Sequence, residues 1–342
     1  MGLRVLRAGP GATIQDGGRR SFLRYGVTPA GPMDWTAFRT ANLALDNDND
    51  AASVEISVGG LEVVCEDEPV PLAFCGGAFL WTHESRTLPA AARILLRPGE
   101  RLAARAGASG AWTYLAVEGG FDTPLVMGSR ATHVRSHMGG IEGRMLREGD
   151  DLPVASGTLA AKREVEARIE TPWLEEPISQ ESVRVVLGPQ DDYFSQDMVA
   201  RFFASVFTLT ASVDRMAYRF EGPDIEHRRG FNIVSDGIAL GAIQIAGDKQ
   251  PLVLMADRQP TGGYPKIGHV IQADIGRLAQ MRPGASCRFV QVEVGEARDA
   301  LFALEAEIAR TLENLRPLRR ELTGEMLSDV NLIDGVVSAF EA

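Results

Sequence analysis

Short runs rich in Val, Ile, Leu and Phe, each stopped by Gly, Pro or Asp, recur along the chain and restrict its fold more than any other feature. They fall at 53–58, 61–65, 72–75, 93–96, 112–117, 184–187, 207–210, 243–245, 252–255 and 288–294. Runs this short, bounded by turn formers, read as strands, so the chain is predicted to be mainly β with a few helices. One helix opens at Asp34 as its N-cap and places Trp35, Phe38, Ala41 and Leu45 on one face. A second follows Asp191 and Asp192, with Phe194, Met198, Phe202 and Val206 as its stripe. Each covers a sheet or plugs a barrel end. Pro98-Gly99 and Pro283-Gly284 supply similar turns before strands in the two halves, a faint echo of two related β units in tandem.

Residues 155–180 are polar and punctuated by Pro172 and Pro177, which suits a linker and sets a boundary near Glu181. From Glu296 the pattern turns helical, with Ala297, Leu301, Leu304, Ile308 and Leu312 on one stripe, in a helix expected to end near Pro317. A second amphipathic piece at 326–340 carries Leu327, Val330, Ile333, Val336 and Val337. That stripe needs cover, either from the chain's own domain or from another copy in a homo-oligomer.

Several function classes are set aside by composition and by missing motifs. With 35 Lys and Arg against 46 Asp and Glu, the formal charge is −11, which repels a phosphate backbone, so nucleic acid is not an expected partner. The N-terminus lacks a signal peptide's apolar core, and no apolar run approaches the ~20 residues of a membrane span; a cytoplasmic location without membrane contact is expected. Cys65, Cys75 and Cys287 are too scattered for a disulfide framework and read as small core residues. His133 and His137 have a metal-like spacing, but Gly128, Gly139 and Gly140 argue for a loop, and no third ligand is evident, so no metal is expected. The chain has neither a G-x-x-x-x-G-K-[ST] loop nor a G-x-S-x-G elbow. It also lacks the Ala/Val-Met-Lys-Met segment of a biotin attachment site.

What remains is a series of glycine-punctuated polar stretches: "TIQDGGR", "GVTPAGPMD", "GSRATHVR", "GGIEGR", "DRMAYRFEGP", "GAIQI" and "RQPTGGYPKIGHVIQADIGRLAQMRPG". In this order, over about Val5 to Val294, they resemble the carboxyltransferase-domain family. That family includes the C-type subunit of ATP-dependent 5-oxoprolinase, the allophanate hydrolase subunit 2 proteins, the kinase-inhibitor antagonist KipA, and the matching part of urea carboxylase. The chain departs from the family pattern at Pro260 and at Gly268-His269, and keeps Gly262, Gly263, Tyr264, Pro265 and Lys266.

The resemblance implies cyclophilin-like β-barrel subdomains; with the boundaries read above these are an N-terminal β subdomain over 1–180 and a C-terminal barrel over 181–295, followed by a helical tail over 296–342 that lies outside the strongest resemblance. It implies one member of a hydrolase complex, inactive alone, that opens 5-oxoproline to glutamate. The implied partners are a B-type companion chain (allophanate hydrolase subunit 1 or KipI-like) and an A-type lactam-utilisation chain that uses ATP and Mg. No cofactor is expected on this chain. The alternatives are carboxyl transfer from carboxybiotin to a urea-like substrate, and a KipA-like regulatory binding protein.

Both amide chemistries put negative charge on oxygen. Glycine permits positive φ and close approach, so the N–H groups beside Gly262 and Gly263 are candidate oxyanion donors, and Lys266 a candidate catalytic cation. For Lys266 the competing reading is a surface cation. Tyr264 either bonds a substrate carbonyl or packs on the barrel rim. Gln244 offers a donor and an acceptor to an amide, or satisfies a strand edge. Arg258 holds a substrate carboxylate or pairs with Asp257 or Asp274. Arg19 pairs with Asp16 or reaches the pocket.

Overall fold

The computed structural model describes residues 2–155, 166–172 and 182–318. The expected strands are present, two of them to the residue: Leu61–Cys65 and Trp112–Val117 fall where their composition placed them. The first half holds its strands as two facing sheets. One, in spatial order, is Asp151–Pro153, Gly2–Ala8, Leu61–Cys65, Arg101–Arg105, Leu80–His83 and Arg86–Leu88. The other is Thr13–Gln15, Ser53–Ser57, Trp112–Val117, Val70–Gly76, Ala92–Leu96, Ala167–Arg168 and Arg316–Pro317. Leu3, Val5, Val63 and Trp81 of the first meet Val54, Leu72, Phe74 and Ile94 of the second in one core.

The back of the second sheet is covered as well, by helix α1 (Trp35–Leu43) and by the second half of the chain. Val70–Gly76 and Trp112–Val117 are therefore buried at every position. Strands buried on both faces lose the in-out alternation and read as unbroken apolar runs.

The second half closes into a seven-stranded barrel of Ser182–Leu187, Lys266–Val270, Ala242–Ile245, Pro251–Leu254, Ala217–Glu221, Val206–Val213 and Ser286–Gln291. Its seam is the parallel pairing of the first and last of these. Helix α2 (Gln196–Ala204) lies on the last strand, with Phe202 stacked on Phe289 at 5.0 Å. Its cap is Ser195, whose hydroxyl accepts from the Met198 N–H, rather than Asp191 or Asp192. Those two sit in a single 3-10 turn, and Phe194 then runs extended to bridge His227, which stops a helix from passing through. Val206 opens a strand instead of extending the helical stripe.

Helix α3 (Gln272–Ala279) has no counterpart among the predicted helices, being short, lacking a side-chain N-cap and containing a glycine. Gly276 is there because a Cβ would sit 2.4 Å from Asp34 Oδ1. Helix α4 (Val294–Glu313) opens with a capping box between Glu293 and Glu296 and turns its predicted stripe inward, with Ile308 buried. It stops before Pro317. Arg316–Pro317 instead pairs with Ala167–Arg168 at the edge of the seven-stranded sheet. The tail thus returns to the first half, and part of the expected linker is a strand, because Ala167 and Arg168 also pair with Arg93 and Ala92. The expected helix at 326–340 and the boundary near Glu181 lie outside the described residues.

The two halves are joined through one buried cation. Arg215, from the second half, donates to Glu55 of the first half, to Asp257 at 2.8 and 3.0 Å, and to the Gly31 carbonyl at 2.7 Å. Glu55 is wholly buried and also accepts from the Met33 N–H and the Tyr114 hydroxyl. Burial pushes the Glu55 carboxyl up, and Arg215 works against that push. Nearby, Gln280 donates to Asp34 and to the Trp112 carbonyl and accepts from the Ala111 and Trp112 N–H groups. Asp34 therefore caps α1 and clamps it to the second half.

Removing one member of a buried, hydrogen-bonded charge cluster leaves the others uncompensated, at about 3–5 kcal/mol. Arg215→Met is expected to lose about that much in denaturant unfolding. Arg219→Met breaks the half-exposed pair with Asp248 and is expected to lose less than about 1 kcal/mol.

Candidate functional site

The glycine-rich stretches of the first half fold onto one another. Asp16 accepts from the Gly18 N–H, the Ser129 hydroxyl at 2.6 Å and the Arg130 N–H at 2.5 Å. Gln15 accepts from the Gly31 N–H and donates to the Thr132 carbonyl. Arg19 does not pair with Asp16. It is buried, and donates through Nε to the Val126 carbonyl at 3.1 Å and through Nη2 to the Ala131 carbonyl, while Nη1 is buried without a partner among the described residues. Gly139 leaves room for it, since a Cβ there would lie 2.3 Å from Arg19 Nη2. His133 sits in the same loops with Nδ1 on the Ser136 hydroxyl.

Arg258 also departs from both expected ion pairs, because its two candidate partners are taken. Asp257 belongs to Arg215, and Asp274 is held by Arg184 at 2.6 Å. The buried Arg258 guanidinium donates to the Ile238 carbonyl at 3.1 Å and more weakly to that of Met255 at 3.4 Å. Its own carbonyl accepts from the Thr28 hydroxyl at 2.9 Å, which ties the barrel rim to the first half. Burial pushes its pKa down to about 10. In this arrangement Arg258 is a strut that bonds backbone carbonyls.

The remaining candidates meet on the outer face of the barrel. Along Ala242–Ile245, Ile243 and Ile245 point into the main core, while Ala242 faces outward with Ile238 and Leu254. By the same alternation Gln244 faces outward, where its ladder partner is Lys266. A short ribbon covers both: Asp236 pairs with Gly262, and Gly237 with Thr261. Gly262 and Gly263 are not among the residues with positive φ. At Gly262 the requirement is space, since a Cβ would lie 2.6 Å from Ile238 Cδ1 and 2.7 Å from Gln244 Nε2. The close approach inferred for this glycine is thus made by the chain itself. Tyr264 stands at the rim, 38% exposed, and its hydroxyl has no partner among the described residues.

Lys266 is neither a surface cation nor the centre of an open electropositive notch. It opens the barrel strand Lys266–Val270, is 1% exposed, and places Nζ 2.8 Å from Asp236 Oδ2. Gln190 braces this pair, accepting from the Lys266 N–H and donating to Asp236, each at 3.3 Å. The Lys266 ammonium holds the Asp236 carboxyl below its usual range. With that sign, the pair is intact at neutral pH and is lost only as pH falls through the lowered value.

Gln244 departs most from ordinary satisfaction. It is fully buried, and neither its Nε2 nor its Oε1 has a hydrogen-bond partner among the described residues. Each orphaned group costs about 1–3 kcal/mol. Sequence reasoning missed Asp236, Gln190 and the Arg215 cluster. Asp236 stands in an unremarkable Ser-Asp-Gly sequence that reads as a turn but pairs as a strand, and Gln190 carries no local pattern. Arg215 and Asp257 stand inside or beside the glycine-punctuated motifs, so position there was the available signal.

The structure is a two-sheet unit joined to a closed barrel through a buried Arg-carboxylate cluster, with an unsatisfied carboxamide beside a buried lysine. The chain belongs to the family described as "Carboxyltransferase domain, subdomain A and B", whose model matches residues 25–291. Among curated relatives, the C subunit of the 5-oxoprolinase of Escherichia coli (strain K12) is 35% identical over 87% of this chain and 94% of that protein. Urea amidolyase of Lachancea kluyveri is 30% identical over 89% of this chain, which spans 18% of that protein. Among solved structures, the Kluyveromyces lactis urea carboxylase superposes with a TM-score of 0.83 at 27% identity, covering 91% of this chain and 29% of that one.

Gln244→Leu removes both orphaned groups at similar volume. The variant is expected to be more stable than the parent by about 2–6 kcal/mol in thermal or denaturant unfolding, about 1–3 for each group. A less stable variant would mean that the amide is satisfied within the fold.

Proposed function

We propose that this chain is the C-type subunit of a 5-oxoprolinase, acting with B-type and A-type companions to open 5-oxoproline to glutamate at the expense of ATP. The observation that carries the reading is the unpaired Gln244 carboxamide. A lactam is a cis amide, with its N–H and C=O on the same edge. A primary carboxamide offers the complementary acceptor and donor on one edge of its own, so the two pair through two hydrogen bonds. Gln244 binds and orients the ring, and the ammonium of its ladder partner Lys266 supplies positive charge to the anionic part of the bound molecule. The 35% identity across nearly all of a protein named for this activity supports the same reading.

This chain has no nucleotide loop, so ATP and Mg are assigned to a companion chain. The structural likeness to urea carboxylase favours one second reading, carboxyl transfer from carboxybiotin to a urea-like amide, which Gln244 would fit equally well.

The reconstituted complex is expected to release glutamate in a manner dependent on ATP and 5-oxoproline, and to fall to background when this chain is omitted. Gln244→Leu is expected to lower kcat/KM about 10²–10³-fold, as removal of one such hydrogen-bonding group does elsewhere. Unchanged release without this chain would defeat the reading. Inhibition by avidin would transfer support to the carboxybiotin alternative.

A further inference from the structure

The ammonium assigned to substrate is occupied by the chain itself. The ribbon that covers it consists of two residue pairs outside the barrel, Asp236 with Gly262 and Gly237 with Thr261, flanked by the Ile233 N–H on the Gly263 carbonyl and the Ile238 N–H on the Pro260 carbonyl. A two-stranded piece that short is not stable alone. It is fastened by the Lys266–Asp236 contact, the weaker Gln190 bond to the same carboxylate, the Arg258 bond to the Ile238 carbonyl, and the Ile238 side chain packed on Ala242 and Leu254. The segment that leads into it is exposed, with Val234 91% accessible. Beneath it lie the two unpaired atoms of Gln244, pressed against Gly262.

The two ends of the ion pair are unequal. Asp236 has a side chain 52% exposed, so on release it enters water at little cost. Lys266 is 1% exposed and, with Asp236 gone, keeps a buried charge that requires another anion. An incoming carboxylate meets that requirement, whereas a neutral molecule leaves it unmet.

We propose that the 236–262 ribbon is a cover and that the Asp236 carboxylate is a built-in stand-in for the carboxylate of the ligand. A small molecule with a carboxylate beside an amide takes Lys266 from Asp236, the ribbon lifts, and the freed Gln244 carboxamide pairs with the amide. Asp236 is then a specificity-determining residue, since a neutral amide cannot displace it. The ligand class rests on the reading under Proposed function, while the cover rests on the geometry.

The test uses the full-length chain, titrated by calorimetry with 5-oxoproline and with 2-pyrrolidinone, the same ring without the carboxylate. Amide hydrogen exchange at Ile233, Ile238 and Gly262 reports the ribbon. The wild-type chain is expected to bind 5-oxoproline at least ~10-fold tighter than 2-pyrrolidinone, with faster ribbon exchange in the complex. In Asp236→Asn the ribbon is expected to exchange faster without ligand and 5-oxoproline to bind ~10-fold tighter, because the competing state is depopulated. Asp236→Asn binding no tighter than wild type, or unchanged ribbon exchange, overturns the proposal. If neither lactam binds but Asp236→Asn takes up acetate with a faster-exchanging ribbon, the cover stands and the lactam reading falls. If the reconstituted complex releases glutamate with the same KM for wild type and Asp236→Asn, the lactam reading stands and the cover falls.

Discussion

The contact on which the rest of the molecule depends is Arg215 between Glu55 and Asp257. It brings a residue of the barrel half to a carboxylate 160 positions earlier, inside a sheet buried on both faces. Once that cation is seated, Gly31, Met33 and Tyr114 have their partners, and the first-half loops carrying Arg19 and Thr28 are held against the barrel rim. A buried triad of this kind is a poor source of net stability compared with apolar packing, but it tolerates only one mutual arrangement of its members. It therefore sets the register between the halves, while the shared apolar core supplies the cohesion.

That fixed frame is what allows a polar group to go unsatisfied nearby. Gln244 sits on a strand whose two neighbours in the barrel, Pro251–Leu254 and Lys266–Val270, leave the backbone no freedom to relieve it. Its amide is crowded by Gly262 and flanked by a lysine whose counter-ion reaches in from a half-exposed ribbon. Such a group is maintained at the expense of stability, which is the usual relation between a binding site and the fold that carries it. The same region holds the two glycines and the lysine singled out in the sequence, although neither glycine has a positive φ and Gly262 serves packing.

Much of the fold was legible because the relevant signals are local. Strand runs, the Asp34 cap and the inward stripe of α4 follow from propensity, capping and periodicity within a few residues. Lys266–Val270 escaped as a strand because the glycines and prolines before it read as loop. Helix α3 escaped because Gly276 lowers its propensity, and the reason for that glycine lies in Asp34, far away in sequence. Three of the candidate residues, Gln244, Gly262 and Lys266, come together at one face of the barrel. The states of the candidates were not legible: Lys266 is buried and paired, and Arg258 bonds carbonyls because the carboxylates expected for it were already claimed by Arg215 and Arg184.

By itself the sequence determined a mainly β chain, its principal strands, three capped or striped helices, and a run of motifs that define its family. These depend on short-range sterics and on residue types that no distant partner can alter. The tertiary structure alone decided which carboxylate each cation meets, that Asp236 closes over Lys266, and that Gln244 is left with no partner among the described residues. Charge pairing and burial depend on which surfaces the topology brings together, and a one-dimensional order of residues carries the charges without their distances.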